Sequence, residues 1–242
     1  MSETSASRAE APVRFPASPK VLVWDAPVRV FHWLIVATFA GAYLTAESEH
    51  WRLLHVTLGY TMAGLVVFRI LWGLVGTRYA RFSDFLRGPA TVAQYVRATL
   101  RGQPQHFTGH NPAGAVSIVA LLVLALVISA SGWAIFNDKG GDWLSQLHAG
   151  ATSVMLIVVA VHVAGVLLAS WMHHENLVGS MVTGRKPGNP QDSVRSAWRS
   201  VAVLMLLAVS AFWSWQWHNA PSQGLDGAAT TSQGTDHDND ND

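Results

Sequence analysis

Residues 147–171, LHAGATSVMLIVVAVHVAGVLLASW, decide the fold of this chain, because an apolar segment of 25 residues is long enough to cross a membrane as a helix. The segment carries two histidines, His148 and His162. An α-helix turns about 100° and rises about 1.5 Å per residue, so His162 returns to within roughly 40° of the face of His148, about 21 Å further along the axis. Ionisable side chains at such positions mostly face a protein interior. We therefore predict one imidazole near each side of a membrane, both directed into the same helix bundle.

The composition is that of a membrane protein. Half of the residues are hydrophobic, only 13% are charged and 11 are tryptophan, and the mean hydropathy is positive. The chain has no cysteine, which excludes disulfides, iron–sulfur clusters, thiolate ligands and covalently attached c-type haem. Histidine is therefore the side chain best suited to bind a transition metal.

Five apolar segments are long enough to be considered as membrane spans. They are Val30–Ala46, Leu53–Gly76, Ala113–Phe136, Leu147–Trp171 and Ser200–Trp217. The first and last are short and lie near the lower limit for a span. No alternating pattern of a β-strand competes with them. We predict an all-α integral membrane protein with a four-helix transmembrane bundle and a fifth, C-terminal transmembrane helix.

The remaining segments follow from this division of the chain. We expect a disordered N-terminal arm without a signal peptide at residues 1–20, a four-helix core at 21–186, a linker and fifth helix at 187–218, and a disordered acidic tail at 219–242. The tail ends in DHDNDND, for which a loose divalent-metal site is the alternative. Within the core, Pro89–Leu100 predicts a short amphipathic helix on the membrane surface.

Basic residues predict the orientation in the membrane. One side of the predicted bundle has only Arg52 and Lys139. The other side has thirteen: Arg8, Arg14, Lys20, Arg29, Arg78, Arg81, Arg87, Arg97, Arg101, Arg185, Lys186, Arg195 and Arg199. Because positive charge accumulates on the cytoplasmic side, we expect the N-terminus in the cytoplasm and the C-terminal tail outside.

This topology assigns a depth to each histidine in the spans. His55 and His148 fall near the outer side, whereas His32 and His162 fall near the cytoplasmic side. Two imidazoles that face one another at the same depth are what a haem iron takes as axial ligands, and the apolar bundle suits a porphyrin. The pattern therefore predicts two haem sites, His55 with His148 and His32 with His162. The alternative for each histidine is a polar side chain hydrogen-bonded to a backbone carbonyl.

Arg69 lies inside the second span, fourteen residues after His55, and so comes to the same helix face beside the cytoplasmic pair. An arginine at that depth needs an anion, and a haem propionate would supply one. The alternative is a side chain that extends to the membrane surface. Small residues near these positions would let a flat macrocycle approach the backbone: Gly41, Gly59, Gly64, Gly150 and Gly165.

Several stretches resemble a known family. These are VWDAPVRVFHW at 23–33, HVTLGYTMAGLVVFRILWGLVG at 55–76, GHNPAGA at 109–115, and the pair His148 and His162. Together they resemble the bacterial cytochrome b561 and Ni/Fe-hydrogenase b-type cytochrome family over about residues 20–186. They are also similar to the cytochrome subunit of membrane formate dehydrogenases.

The resemblance implies a four-helix core that holds two non-covalent b-type haems, with the four histidines His32, His55, His148 and His162 as ligands. It implies electron transfer between a quinone pool and a redox partner in the bacterial cytoplasmic membrane. The partner would be a periplasmic c-type cytochrome, a hydrogenase or another dehydrogenase, and we expect no nucleic-acid partner. The chain would be an electron-transfer subunit rather than a stand-alone enzyme. Residues 200–217 lie outside the family's four-span core.

The other histidines are weaker candidates. His110 precedes the predicted start of the third span at Asn111 and Pro112, near the cytoplasmic pair, and could bind or protonate a quinone carbonyl; the alternative is a capping loop. The run 173–175, HHE, lacks the spacing of a zinc hydrolase and predicts a polar cluster at the membrane surface. We expect the remaining histidines to be exposed: His50, His106, His218 and His237.

Three functions from different classes remain open at this point. The first is a di-haem electron-transfer subunit. The second is a self-sufficient oxidoreductase that passes electrons from superoxide or another small donor to quinone. The third is a haem-free transporter or proton channel that uses the buried histidines and Arg69 as a relay. A visible spectrum of the purified protein separates the third from the other two.

Overall fold

The computed structural model describes residues 19–103 and 105–219. The N-terminal arm up to residue 18 and the tail from residue 220, including His237, lie outside the described residues. The expectations of disorder and of a loose metal site in the tail therefore stay predictions.

The described residues are predominantly helical. The helices are α1 (Ala26–Thr45), α2 (Arg52–Val75), α3 (Phe82–Phe85), α4 (Pro89–Leu100), α5 (Pro112–Phe136), α6 (Asp142–Met172), α7 (Leu177–Thr183) and α8 (Arg199–His218). Five of them, α1, α2, α5, α6 and α8, are long and apolar enough to cross a membrane. This confirms the prediction of an all-α integral membrane protein and gives five candidate spans.

Two helices begin earlier than the hydropathy predicts. Helix α1 begins at Ala26 rather than Val30, because Asp25 caps its N-terminus and Pro27 occupies its first turn. Helix α6 begins at Asp142 rather than Leu147, and an acidic residue in a first turn is favourable there. Hydropathy detects the apolar part of a helix and misses its polar first turn.

A small sheet was not predicted. Strand β1 (Lys20–Leu22) pairs antiparallel with β2 (Arg185–Pro187), so the expectation of no strands was wrong here. The sheet lies with α3, α4 and α7 at one end of the bundle, which we call the sheet end. The opposite end, where α1 and α5 finish and α2 and α6 begin, is the far end.

A buried carboxylate joins the helices at the sheet end. Asp25 is only 1% exposed. Its Oδ1 accepts a hydrogen bond from the backbone N–H of Val28 (2.8 Å), and its Oδ2 accepts from Trp72 Nε1 (3.0 Å) and Thr77 Oγ1 (2.7 Å). A buried charge is tolerated only when its lone pairs are satisfied in this way. Asp25 therefore fixes the start of α1 against the end of α2.

The spans pack in the order α1, α2, α5, α6, with α8 against α1 and α2. The mid-bundle core is formed by buried residues of α2, α5 and α6: Met62, Val66, Ala125, Ile128, Ala151 and Met155. On the other side, Met205 of α8 packs against Phe31 and Leu65, and Trp213 Nε1 donates a hydrogen bond to Thr61 Oγ1 (2.9 Å). The fifth helix is thus held by α1 and α2 rather than by α6.

Candidate functional site

The two histidines at the far end lie together. The ring centroids of His55 on α2 and His148 on α6 are 6.3 Å apart, with the ring planes inclined at 63°. Both side chains are half-buried. The two histidines that the sequence places at the same depth therefore lie close together in the structure.

Both far-end rings are oriented by backbone carbonyls. His55 Nδ1 lies 2.8 Å from the carbonyl oxygen of Ala42, and His148 Nδ1 lies 3.0 Å from that of Ile128. Because a carbonyl only accepts, each Nδ1 carries the proton, and each Nε2 keeps its lone pair in the neutral ring. This is the arrangement in which metal-binding histidines are commonly held. The carbonyl bond that the sequence analysis treated as an alternative is therefore compatible with a haem ligand.

The second pair lies at the sheet end. His32 on α1 and His162 on α6 both lie in the half of their helix that is nearer the sheet end. Neither ring forms a hydrogen bond with the described residues, and His32 Nδ1 is fully buried without a partner. A buried polar atom without a partner is costly. The sheet-end pair therefore lacks the backbone support that the far-end pair has.

Arg69 is buried at the sheet end, with 3% of its surface exposed. Its Nη1 donates to the carbonyl oxygen of Ala80 (3.1 Å), and the guanidinium carbon lies 5.1 Å from the ring centroid of Phe82. Among the described residues it forms no ion pair with a carboxylate. This burial favours the prediction of an inward-facing cation over a side chain that extends to the membrane surface.

The glycines do not share one role. At Gly59, Gly64, Gly150 and Gly165, an added Cβ would meet no heavy atom within 4 Å. At Gly41 it would lie 2.9 Å from Leu58 Cδ1, so this glycine permits close packing of α1 on α2. Gly132 was not singled out, yet a Cβ there would lie 3.0 Å from His148 Cε1.

His110 is enclosed by aromatic rings rather than placed in an open loop. Its ring centroid lies 4.5 Å from that of Trp24 and 4.6 Å from that of Phe85, and its Nδ1 is buried without a hydrogen-bond partner among the residues that the structure describes. Burial, reinforced by the nearby charges of Arg69 and Lys186, lowers the pKa of His110 to about 3. The ring is therefore neutral at physiological pH.

A polar cavity of about 160 Å³ lies beside this ring, and we call it the His110 cavity. Its lining comes from three chain segments: Arg78, Tyr79, Asp84 and Arg87; Phe107, Thr108, Gly109 and His110; and Asp192. It can therefore offer hydrogen bonds to a small polar ring at the sheet end.

A charged cluster holds the segment that carries His110. Lys186, which is 4% exposed, pairs with Glu175 (3.1 Å) and donates weakly to the carbonyl oxygens of Phe107 and Thr108. Burial alone would raise the pKa of Glu175, but the hydrogen bond from His106 (2.7 Å) and the pair with Lys186 hold that pKa below its ordinary value. His106 is exposed, as predicted, but its ring is hydrogen-bonded to Glu175.

The run 173–175 takes part in this cluster through Glu175. Among the described residues, no three histidine or acidic side chains are grouped so as to hold a metal ion. His50 and His218 are exposed, as expected.

Comparison with known proteins gives the family. The model of the prokaryotic cytochrome b561 family matches residues 23–184, about two thirds of the chain. The chain belongs to the prokaryotic cytochrome b561 family. It is therefore a multi-pass membrane protein of a b-type cytochrome family, for which b-type haem and membrane electron transfer follow. This finding favours electron transfer over the transporter or channel considered above.

Curated relatives agree with the family at low identity. A probable Ni/Fe-hydrogenase B-type cytochrome subunit of Rhizobium leguminosarum bv. viciae is 23% identical over 216 residues, covering 69% of this chain and 88% of the relative. Proteins of the same name from Azotobacter vinelandii and Cupriavidus necator are 24% and 22% identical, and the matches cover 87% and 85% of those relatives. No solved structure gives a significant match.

Three residues that hold the candidate site in place were not identified from the sequence, namely Asp25, Lys186 and Glu175. Asp25 could have been found, since Asp followed by Pro27 in the first turn is a common helix start. Lys186 and Glu175 had no local signal, because they meet His110's segment across 69 to 79 residues of chain.

Proposed function

We propose that this cytochrome b561 family member holds two non-covalent b-type haems and transfers electrons between quinone and a redox protein partner in the bacterial cytoplasmic membrane. The observation that carries the proposal is the far-end pair. His55 and His148 present rings 6.3 Å apart, each with Nδ1 turned to a backbone carbonyl. Both Nε2 lone pairs are thereby available to one metal ion between the helices.

The sheet-end pair is the proposed second haem site. The ring nitrogens of His32 and His162 support it, because no described residue occupies them by a hydrogen bond. Arg69 supports it as well, since a buried guanidinium that has one hydrogen bond and no ion pair with any described carboxylate suits a propionate. Haem, when bound, supplies reversible one-electron transfer, while these residues orient it and compensate its charge.

Quinone chemistry belongs at the His110 cavity. Reduction of a quinone to a quinol consumes two electrons and two protons, so the ring must lie near both a haem and a proton source. His110 is neutral and can hydrogen-bond a quinone oxygen. The residues that line the cavity include the hydroxyls of Tyr79 and Thr108. The cavity lies at the sheet end, where the second haem is proposed, and this supports the location.

A hydrogenase is the first partner to test. The curated relatives are named as cytochrome subunits of Ni/Fe hydrogenases and match most of their own length. Other dehydrogenases and periplasmic c-type cytochromes are the alternatives. Co-purification of the tagged chain from its native membrane, followed by reduction of its haem with hydrogen, distinguishes them. Reduction by hydrogen supports a hydrogenase, whereas its absence in the presence of a co-purified c-type cytochrome excludes one.

The proposed orientation places the sheet end in the cytoplasm. A reporter inserted at Gly102 is expected to read as cytoplasmic, and one fused after Asp242 as periplasmic. Two cytoplasmic readings would mean that α8 does not cross the membrane.

The haem content decides the central claim. Purified protein should contain two b-type haems per chain, both released by acidified acetone because no cysteine can anchor them. Addition of quinone to the reduced protein should reoxidise both. One haem per chain would refute the pairing, and two haems that no quinone reoxidises would refute the quinone site alone.

A further inference from the structure

An apolar groove of about 530 Å³ lies between α5 and α6, on the membrane-spanning part of the bundle. Its walls are almost entirely aliphatic, with Val116, Val119 and Val123 on α5 and Val154 and Val158 on α6. We call it the α5/α6 groove. From Pro112 at the sheet end to Leu124 it extends about 18 Å by helix rise, which is more than half the depth of a hydrocarbon core.

The groove adjoins the His110 cavity through two separate chain segments. His110 lines the cavity and Pro112, two residues later, lines the groove. On the second segment, Phe85 packs on the His110 ring, the next residue Leu86 lines the groove, and Arg87 lines both spaces. A polar space at the membrane surface therefore opens beside an apolar one that descends into the membrane.

We propose that the α5/α6 groove binds the isoprenoid tail of a long-chain quinone whose ring occupies the His110 cavity. This inference rests on the quinone site proposed above and adds the class of quinone that the site selects. The polar ring meets hydrogen-bonding groups, and the tail meets aliphatic side chains apart from Arg87. The groove ends at Leu124, near the middle of the membrane, where a hydrocarbon tail can continue among the lipid chains.

The gain from such a groove is modest in a membrane. Lipid chains are as apolar as valine, so the groove gains affinity from close packing rather than from removal of the tail from water. We therefore expect that filling the groove weakens binding of a tailed quinone by about three- to tenfold and does not abolish it. A quinone without a tail should bind equally well whether the groove is open or filled.

The test compares two alanine-to-phenylalanine variants in lipid nanodiscs. Ala120 lines the groove, so Ala120→Phe fills it. Ala164 is exposed on the membrane-spanning part of α6 and is not a lining residue, so Ala164→Phe adds the same ring elsewhere. The haem spectrum checks that each variant is folded, and Ala120→Leu provides a smaller filling if Ala120→Phe is not.

Two quantities are measured for each protein with dimethoxy-methyl-benzoquinone, with and without a long isoprenoid tail. They are the quinone retained per chain after purification and the concentration that gives half-maximal haem reoxidation. In Ala120→Phe, retention of the tailed quinone should fall and its half-maximal concentration should rise, while the tail-less quinone and Ala164→Phe should resemble the unmodified protein.

Other outcomes overturn the inference. Equal loss of both quinones in Ala120→Phe would mean that the substitution disturbs the ring site, and no change for either would mean that lipid chains alone occupy the groove. If the unmodified protein responds to neither quinone, the proposed quinone function itself fails, a result that the unmodified protein reports without any variant.

Discussion

The far-end and sheet-end pairs each combine one histidine of α6 with one from α1 or α2, but they differ in what holds their rings. At the far end, carbonyl oxygens of Ala42 and Ile128 orient His55 and His148. At the sheet end, no described residue hydrogen-bonds either ring, and His32 Nδ1 is buried without a partner among them. Backbone carbonyls thus preorganise the proposed far-end site, whereas the proposed sheet-end site has no such support among the described residues.

Removal of one ligand from each pair gives the largest expected effect. His148→Ala should lose the far-end haem and His162→Ala the sheet-end haem, each leaving one haem per chain, because each imidazole serves one site. A pyridine haemochrome assay gives the number, and low-temperature spectra identify the haem that remains. Loss of both haems from either variant would contradict the independence of the two sites.

Gly132→Ala tests the preorganisation of the far end. The added Cβ would lie 3.0 Å from His148 Cε1 and 3.3 Å from its Nδ1, so the ring must shift by a few tenths of an ångström. We expect partial loss or a changed spectrum of the far-end haem only. Gly88→Ala, which lies before α4 at the sheet end and where a Cβ meets nothing within 4 Å, is the control. An unchanged far-end spectrum in Gly132→Ala would mean that the position of His148 is not constrained.

Arg69→Leu tests the charge dependence of the sheet end. Loss of the buried cation leaves the charge of a propionate poorly compensated, which favours oxidised iron. The reduction potential of the sheet-end haem should therefore fall by tens of millivolts. This corresponds to about 1–2 kcal/mol at an effective dielectric constant of ~20. The far-end potential should shift little, and Arg69→Lys should shift the sheet-end potential less. A redox titration that resolves both haems measures this. Equal shifts at both ends would remove Arg69 from the sheet-end site.

His110 gives the smallest expected effect, on stability against pH. Its pKa of about 3 in the folded protein lies below its ordinary value of 6.5, so the unfolded chain takes up a proton that the folded chain refuses. Its contribution is complete above about pH 6.5 and is lost as the pH falls toward 3. His110→Gln cannot take up that proton.

Thermal unfolding in detergent at about pH 7.5 and about pH 5 measures the difference. The Tm of the unmodified protein should fall more between these values than that of His110→Gln. The charged neighbours Arg69, Lys186 and His162 are present in both proteins, so the difference isolates His110. Equal decreases would place His110 in contact with water.

The sequence predicted the features that depend on local pattern. The five spans follow from hydropathy, and the matched depths of His55 and His148 follow from helix rise, because both are properties of single segments. Features formed by residues that are far apart in the sequence were not predicted. The sheet pairs only three residues from each strand, and Lys186 reaches the segment before α5 from beyond α7, with no periodic signal for either. The enclosure of His110 by Trp24 and Phe85 was equally hidden, since three distant segments create it.

Each proposed haem site takes one histidine from the α1–α2 hairpin and one from α6, and this division has a consequence for biogenesis. His148 is translated about ninety residues after His55, which is roughly 5–20 s of synthesis. Asp25 can join α1 and α2 as soon as Thr77 has emerged, so a hairpin with half of each site waits in the membrane until α6 is inserted. Because each proposed site needs a histidine of α6, neither site is complete before α6 is inserted, and cofactor loading must follow that step.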